Sequence, residues 1–450
     1  TRPNDPGQAR LLGLYPQVQP GRWMQRIRVP GGVLSPAQWS GLAALAREHT
    51  PATPLHLTTR QEIELHDLTA GGVAAAQADI ASLGLTGAGA CGDTFRNITV
   101  CPCAGTRPDS VELLPTAHRI AELLGQIDGI YALPRKFKVA LSCGDDCGQP
   151  YINDLGLVAR QREGRWGFAA IGAGSLGARP ATGIELFDWV APARVLPLVA
   201  AAIRVFAAHG DRRNRQRARF RHIRQRLGDE AFRELLGAAV EKAEQIDTWT
   251  DVPLPAGKQA LPAAVALAFP RGDLSGEAAE ALADLSATVK VEVRIGVHHQ
   301  VHVFGSSACA LREHLAAFAA LPADRTDPNV VACPGRHWCA RGLVDTRGLA
   351  DRVRDALAGL GRADATVCIS GCPNGCAHSR VADVGLTGRV VGKAERREAF
   401  DVYVGGGRGR TDVLATPHTA AVPAADAPTR VRELLTGHPH SGGSHAFAAD

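Results

Sequence analysis

The chain has 450 residues, 45% hydrophobic and 21% charged, which excludes disorder as the dominant state and leaves room for two to four domains of about 150 residues. A net charge of +5 does not by itself call for nucleic acid. The longest clean apolar stretch, Ala260 to Pro270, is eleven residues, carries Pro262 and stops short of the about 20 residues of a membrane span. The start, Thr1-Arg2-Pro3-Asn4-Asp5, shows no apolar secretory segment, so the expectation is a cytoplasmic protein with neither nucleic acid nor membrane as partner.

Along the chain, Ser35 is a cap candidate for a helix over Pro36 to Glu48, and Leu55 to Leu65 patterns as strands. Alternation over Lys136, Phe137 and Lys138 puts both lysines on one face of a strand. Asp211 to Arg226 carries eight arginines in sixteen residues and reads as a helix. Its default meaning is a solvated, salt-bridged face. Sharper readings are a docking surface for an acidic partner, or pairing with the carboxylates of a cofactor. Val289 to Ile295 alternates strictly and His302 to Phe304 continues in kind, which predicts a hairpin. A helix over Leu349 to Leu360 ends at Gly361, and from Pro417 onward only a short helix near Thr429 to Leu435 and a loose tail are expected.

Two halves look alike. Arg96-Asn97-Ile98-Thr99-Val100-Cys101-Pro102 recurs as Pro328-Asn329-Val330-Val331-Ala332-Cys333-Pro334. Cys143-Gly144-Asp145-Asp146-Cys147 with Asn153-Asp154-Leu155-Gly156-Leu157 recurs as Cys372-Pro373-Asn374-Gly375-Cys376 with Ala382-Asp383-Val384-Gly385-Leu386. Gly172-Ala173-Gly174 is echoed by Gly405-Gly406-Gly407, and the three offsets are 232, 229 and 233. The period is far longer than a solenoid unit and implies an internal duplication around a pseudo-twofold axis.

Five of the eleven cysteines lie between Cys333 and Cys376. Cys333 and Cys339 are spaced C-x5-C, and Cys372 and Cys376 are spaced C-x3-C. Four thiolates from two loops are the ligand set of an iron–sulfur cluster, whereas structural zinc pairs sit about two to four residues apart. Buried thiols are the bland alternative, and two pairs together favour metal. Cys368 reads as a buried spare. Cys143 and Cys147, with the C-x-C pair Cys101 and Cys103, could hold a second centre, but a decayed or non-metal copy is favoured, because Gly144, Asp145 and Asp146 replace the Pro, Asn and Gly of the other loop. The basic set is lopsided, 44 Arg to six Lys, yet two lysines sit at Lys136 and Lys138. They are either a solvated strand edge or ammoniums wanted for proton delivery, which arginine cannot perform.

Together these residues resemble the sirohaem and 4Fe-4S family of nitrite and sulfite reductases. The resemblance rests on the cysteine pairs, on Thr58-Thr59-Arg60-Gln61, on Cys91-Gly92-Asp93-Thr94-Phe95-Arg96-Asn97 and on Leu133-Pro134-Arg135-Lys136-Phe137-Lys138, and it runs from about residue 20 to 435. It implies an α+β, internally duplicated fold, with ferredoxin-like half-domains at 1–80 and 246–308. The implied sirohaem and substrate domain spans 81–245, the 4Fe-4S and sirohaem domain 309–435, and a tail 436–450. It implies a cluster on Cys333, Cys339, Cys372 and Cys376, with Cys376 shared with the sirohaem iron. Arg60, Arg96, Lys136 and Lys138 would act on the substrate, and Arg96, Lys136, Lys138, Asn374 and Cys376 would contact the cofactor.

The implied activity is six-electron reduction of sulfite to sulfide, with electrons from a ferredoxin or flavoprotein, because no strand–GxGxxG–helix unit is present. Lys138 favours sulfite, since nitrite-type members tend to carry Asn there. Nitrite reduction to ammonia is the alternative. A precorrin-3B synthase-like oxygenase of cobalamin biosynthesis is a further one, against which the intact lysine motif argues.

Overall fold

The duplication is written into the strand order. The computed structural model describes residues 6–107, 110–144, 147–257, 261, 263–288, 290–322, 325–392, 395–407 and 413–437. One five-stranded sheet runs Thr99–Val100, Val139–Ser142, Leu155–Arg162, Arg165–Gly172 and Ile184–Val190. A second runs Asn329–Ala332, Thr366–Ser370, Val384–Val391, Arg397–Val404 and Thr416–Pro423 in the same order. In both, the first two pairings are parallel and the last two antiparallel. Parallel neighbours need a crossover. Helix Leu114–Gln126 supplies it in the first sheet and helix Thr346–Leu357 in the second.

The correspondence reaches individual hydrogen bonds. Asp154 Oδ2 accepts from Lys138 N at 2.9 Å, and Asp383 Oδ2 accepts from Thr366 N at 2.8 Å. Asn97 Nδ2 donates to Arg60 O and Asn329 Nδ2 to His298 O, both at 2.9 Å. Gln61 and His299, the residues after those two acceptors, both have positive φ, 57° and 56°.

The half-domains share one core. Helix Pro36–His49 is held by a full capping box, with Ser35 Oγ accepting from Gln38 N and Gln38 Oε1 accepting from Ser35 N. It packs on helix Gly276–Ser286, where Ser40 Oγ donates to Glu280 Oε2 at 2.9 Å. Buried residues of both halves, from Leu14 and Trp39 to Leu282 and Val303, form one apolar cluster. Strand Asp273–Leu274 of the second half pairs with His56 and Leu55 and completes the first half's sheet.

Several expectations change. Asp211 to Arg226 is not one helix: only Phe220–Leu227 is α-helical, after a single 3-10 turn at Arg215–Arg217. Asp211 Oδ1 takes the N–H groups of Arg213 and Asn214, and Asn214 Oδ1 takes that of Gln216. Such side-chain bonds compete with helix formation. The lysine strand begins only at Val139, with Phe137 a lone bridge to Phe95. The strand expected from Val289 is Glu292–Ile295, paired with Gln300–Gly305, and Val289 lies outside the described residues. The helix expected from Leu349 starts at Thr346, capped by Asp345, and ends at Leu357.

The segment from Pro417 is more ordered than expected. Its first part is strand Thr416–Pro423, an edge where Pro417 and Pro423 are tolerated, and the helix there spans Ala427–Gly437. Residues 438–450 lie outside the described set. Helix Pro192–His209 is apolar and long enough to cross a membrane by composition, and it is the mostly buried core helix of the first α/β unit.

Candidate active site

Arg60 sits at the tip of the hairpin between Leu55–Leu57 and Ile63–Thr69. The left-handed Gln61 makes the reversal, and its side chain is spent on holding it. Gln61 Nε2 donates to Val100 O at 2.8 Å and Ile295 O at 2.7 Å, and Gln61 Oε1 accepts from Val100 N at 2.8 Å. The guanidinium of Arg60 is thereby aimed across the sheet, where Nη1 donates to Asn153 Oδ1 at 3.0 Å and Nη2 to Asn97 O. Burial, then Arg96 and Arg219, lowers the Arg60 pKa to about 10.

Arg96 precedes strand Thr99–Val100 and is anchored by its own loop, with Nη1 donating to Ala90 O at 2.7 Å and Nη2 to Gly92 O at 2.8 Å. Phe137 is fully buried against Phe206 and Phe220, so the residues on either side of it, Lys136 and Lys138, turn the opposite way. Burial, then the cations Arg219, Arg96 and Arg135, brings the Lys136 ammonium down to about 7. Burial, then Arg60, Lys136 and Arg219, lowers Lys138 well below the ordinary lysine value. The four expected cations therefore stand in one another's field.

They also meet the cysteine loop. Thr59 Oγ1 donates to Cys376 O at 2.8 Å, tying the Arg60 hairpin of one half to the second cysteine pair of the other. Cys333 begins the loop after Asn329–Ala332, and Cys372 and Cys376 lie on the loop after Thr366–Ser370. These are adjacent parallel strands, so both loops leave the carboxyl end of the sheet, where α/β ligands bind. Cys333 Sγ accepts from Gly371 N at 3.1 Å. Gly375, with φ 66°, turns the chain between Asn374 and Cys376.

Burial, and then the Cys376 sulfur, pushes the Cys333 thiol up to about 12. Burial raises Cys339 and Cys372 as well, and Cys376 adds to both. Three sulfurs that resist ionisation, gathered with that of Cys376, are the donor set a cationic centre relieves. Among the described residues they do not close to within 4.8 Å of one another as a single-ion group does, so their spread suits a polynuclear cluster. Cys368, the expected spare, is buried within strand Thr366–Ser370.

Two features are sharper in the structure than in the sequence. Arg219 and Arg221, within the arginine run, are 9% and 5% exposed rather than solvated. Arg219 Nη2 donates to the fully buried Asp154 Oδ2 at 2.7 Å, and that oxygen also holds Lys138 N. Arg221 lines a cavity of about 430 Å³ together with Arg179, Arg217 and Arg226. The Nε atoms of Arg60, Arg96, Arg219 and Arg221 are buried without a protein partner, which fits a polyanionic group. The sequence signal was the arginine run itself, with pairing to the carboxylates of a cofactor among its readings, but not which of its arginines are buried.

The second feature is in the first half. Cys101, Cys103, Cys143 and Cys147, expected to be a decayed copy, bring their sulfurs within 4.8 Å of one another.

The family model for the nitrite and sulphite reductase 4Fe-4S domain matches residues 91–244 and 326–442. The model for the nitrite/sulfite reductase ferredoxin-like half domain matches residues 15–83. A ferredoxin–nitrite reductase of Synechococcus elongatus is 31% identical over 96% of this chain and 90% of its own length. An assimilatory ferredoxin-dependent nitrite reductase of Haloferax mediterranei is 30% identical over 95% and 81%. A sulfite reductase [ferredoxin] 2 of Mycolicibacterium paratuberculosis is 29% identical over 90% and 80%. The solved structure of the NirA protein of Mycobacterium tuberculosis superposes with a TM-score of 0.82 over 99% of this chain and 89% of that one, at 24% identity.

Proposed function

We propose that this chain, which belongs to the nitrite and sulphite reductase family, reduces nitrite to ammonia with electrons from ferredoxin. The cofactors are those of the family, a 4Fe-4S cluster and sirohaem, which together supply the redox chemistry. Cys333, Cys339, Cys372 and Cys376 would hold the cluster, and the buried arginines Arg219 and Arg221 would face the acid groups of the tetrapyrrole. What carries the reading is the meeting of Arg60, Arg96, Lys136 and Lys138 with the Cys376 loop through Thr59.

In this reading the arginines bind and orient the oxyanion with charge-assisted hydrogen bonds. Arg60 is rigid because its guanidinium is already fixed on Asn153 and Asn97. The lysines hold protons at Nζ for oxygens that leave as water. A mild positive charge of +5 suits an acidic donor protein.

Sulfite is the second reading, and Lys138 is the residue that favours it. Nitrite takes precedence because ferredoxin–nitrite reductases are the relatives at 31% and 30% identity. The test is an anaerobic, dithionite-driven assay of the holoenzyme with both anions side by side, and preference for sulfite would reverse the order. A spectrum lacking the isobacteriochlorin bands would instead favour the synthase. Lys138→Asn is expected to lower kcat/KM for sulfite by about 10–100-fold relative to nitrite, the value of one hydrogen bond to a charged group.

The lowered Lys136 pKa sets a pH dependence. An arriving anion favours the ammonium. Below about pH 7 the proton is already present, and above it binding must take one up. Oxyanion affinity is therefore expected to be flat below that value and to weaken by up to about tenfold per pH unit above it. Titration of the holoenzyme across pH checks this, and Lys136→Arg should flatten the profile.

A further inference from the structure

Cys101 and Cys103 follow strand Thr99–Val100, and Cys143 and Cys147 follow the adjacent parallel strand Val139–Ser142. Both loops leave the same end of the sheet. Cys103 Sγ lies 3.3 Å from Cys143 Sγ, and Cys143 Sγ lies 3.5 Å from Cys147 Sγ. No pair among them is disulfide-bonded. Four thiolates at about 2.3 Å from a tetrahedral zinc ion would stand about 3.8 Å apart, and all four sulfurs here lie within 4.8 Å of one another.

The surroundings are those of a built site. Cys101 Sγ accepts from Cys143 N at 3.0 Å, and Cys147 Sγ is 3.2 Å from Ser142 Oγ. Arg294, 3% exposed, reaches in from the other half and donates to Pro102 O at 3.2 Å and Ala104 O at 2.6 Å, gripping the C-x-C loop on both sides of Cys103. Glu112, at 2.9 Å, and Glu292 hold Arg294 in place.

The duplicated half shows why this site differs in size from its twin. Ser142 Oγ accepts from Gly148 N as Ser370 Oγ accepts from Ala377 N. Cys143 N donates to Cys101 Sγ as Gly371 N donates to Cys333 Sγ. Cys143 thus occupies the place of Gly371, one residue nearer the sheet than Cys372. Cys103 is two residues after Cys101, where Cys339 is six after Cys333. Both changes draw the sulfurs inward, from the span of a cluster to that of one ion.

We propose that Cys101, Cys103, Cys143 and Cys147 bind a single structural zinc ion, a second metal centre in addition to the iron cofactors. Binding exchanges thiol protons for the cation and involves no electron transfer. The ion braces the carboxyl ends of the two strands whose other ends carry Arg96 and Lys138.

The test is elemental analysis of holoenzyme prepared anaerobically with zinc in the medium. One zinc per chain is expected, and Cys103→Ser with Cys143→Ser should lose it while iron is retained. Full iron without zinc in the unaltered protein, or full zinc in the double variant, overturns the proposal. Since that variant could fail to fold, cobalt(II) exchange into the unaltered protein is the second measurement. Thiolate-to-cobalt charge-transfer bands with tetrahedral ligand-field bands are expected, and bound cobalt without them overturns it.

Discussion

Cys376→Ser holoenzyme is expected to show no measurable oxyanion turnover and to lose cluster iron and labile sulfide, while its far-ultraviolet dichroism stays close to that of the unaltered protein. The fold does not lean on this side chain. Cys376 is exposed, and its neighbours are held by backbone contacts, with Thr59 Oγ1 on its carbonyl and Ser370 Oγ on Ala377 N. On the proposed function the chemistry does lean on it, because the redox chemistry is supplied by the cofactors that Cys376 would help to hold. Arg96→Lys is the contrasting case. It keeps the charge but gives up the fork that Ala90 O and Gly92 O hold in place, so cluster iron and sulfide should be unchanged and kcat/KM should fall by about 100–1,000-fold, as for loss of one aimed donor. Iron, sulfide and kinetics measured on the two variants separate holding the cofactor from acting on the substrate.

The parts of this site legible in the sequence are those whose chemistry constrains spacing. Four thiolates on two loops leave a countable pattern, and the Arg60, Arg96 and Lys136–Lys138 stretches are contiguous enough to be matched as motifs. The parts that stayed hidden depend on contacts between distant segments. Arg219 looks like any other member of an arginine run until it is seen 2.7 Å from a carboxylate 65 residues earlier. The first-half cysteines read as a decayed copy because Gly144, Asp145 and Asp146 stand where the other loop has Pro373, Asn374 and Gly375, and nothing local shows that the short Cys101–Cys103 spacing draws the sulfurs together.

The duplication reaches further in the backbone than in residue identity. Val29-Pro30-Gly31-Gly32-Val33-Leu34-Ser35 and Phe269-Pro270-Arg271-Gly272-Asp273-Leu274-Ser275 share only four identities. Their likeness lies in the backbone, with φ of 68° at Gly31 and 59° at Arg271, and in the serine caps that follow. Arg271 holds a conformation that glycine adopts freely, so identity between the copies is lost where geometry is kept.

Arg219→Ala is expected to be the most destabilising single change near the site, by about 3–5 kcal/mol, because it strands the buried carboxylate of Asp154. Asp154 Oδ1 already has no partner, so Oδ2 would be left with Lys138 N alone. Asp154→Asn should cost less, since the amide oxygen can still take that N–H. Replacing both partners with apolar residues, Arg219→Met with Asp154→Leu, should recover much of the stability and none of the activity, because the pair's net worth is small while its placement of the lysine loop is not. Chemical denaturation of the three variants gives the order. The kinetics carry a second signature. After burial, Arg219 is the largest influence lowering Lys136, so its removal lets that pKa rise. The weakening of oxyanion binding should then begin at a higher pH in Arg219→Ala than in the unaltered enzyme. A merely structural arginine would lower stability and leave the pH at which binding weakens where it was.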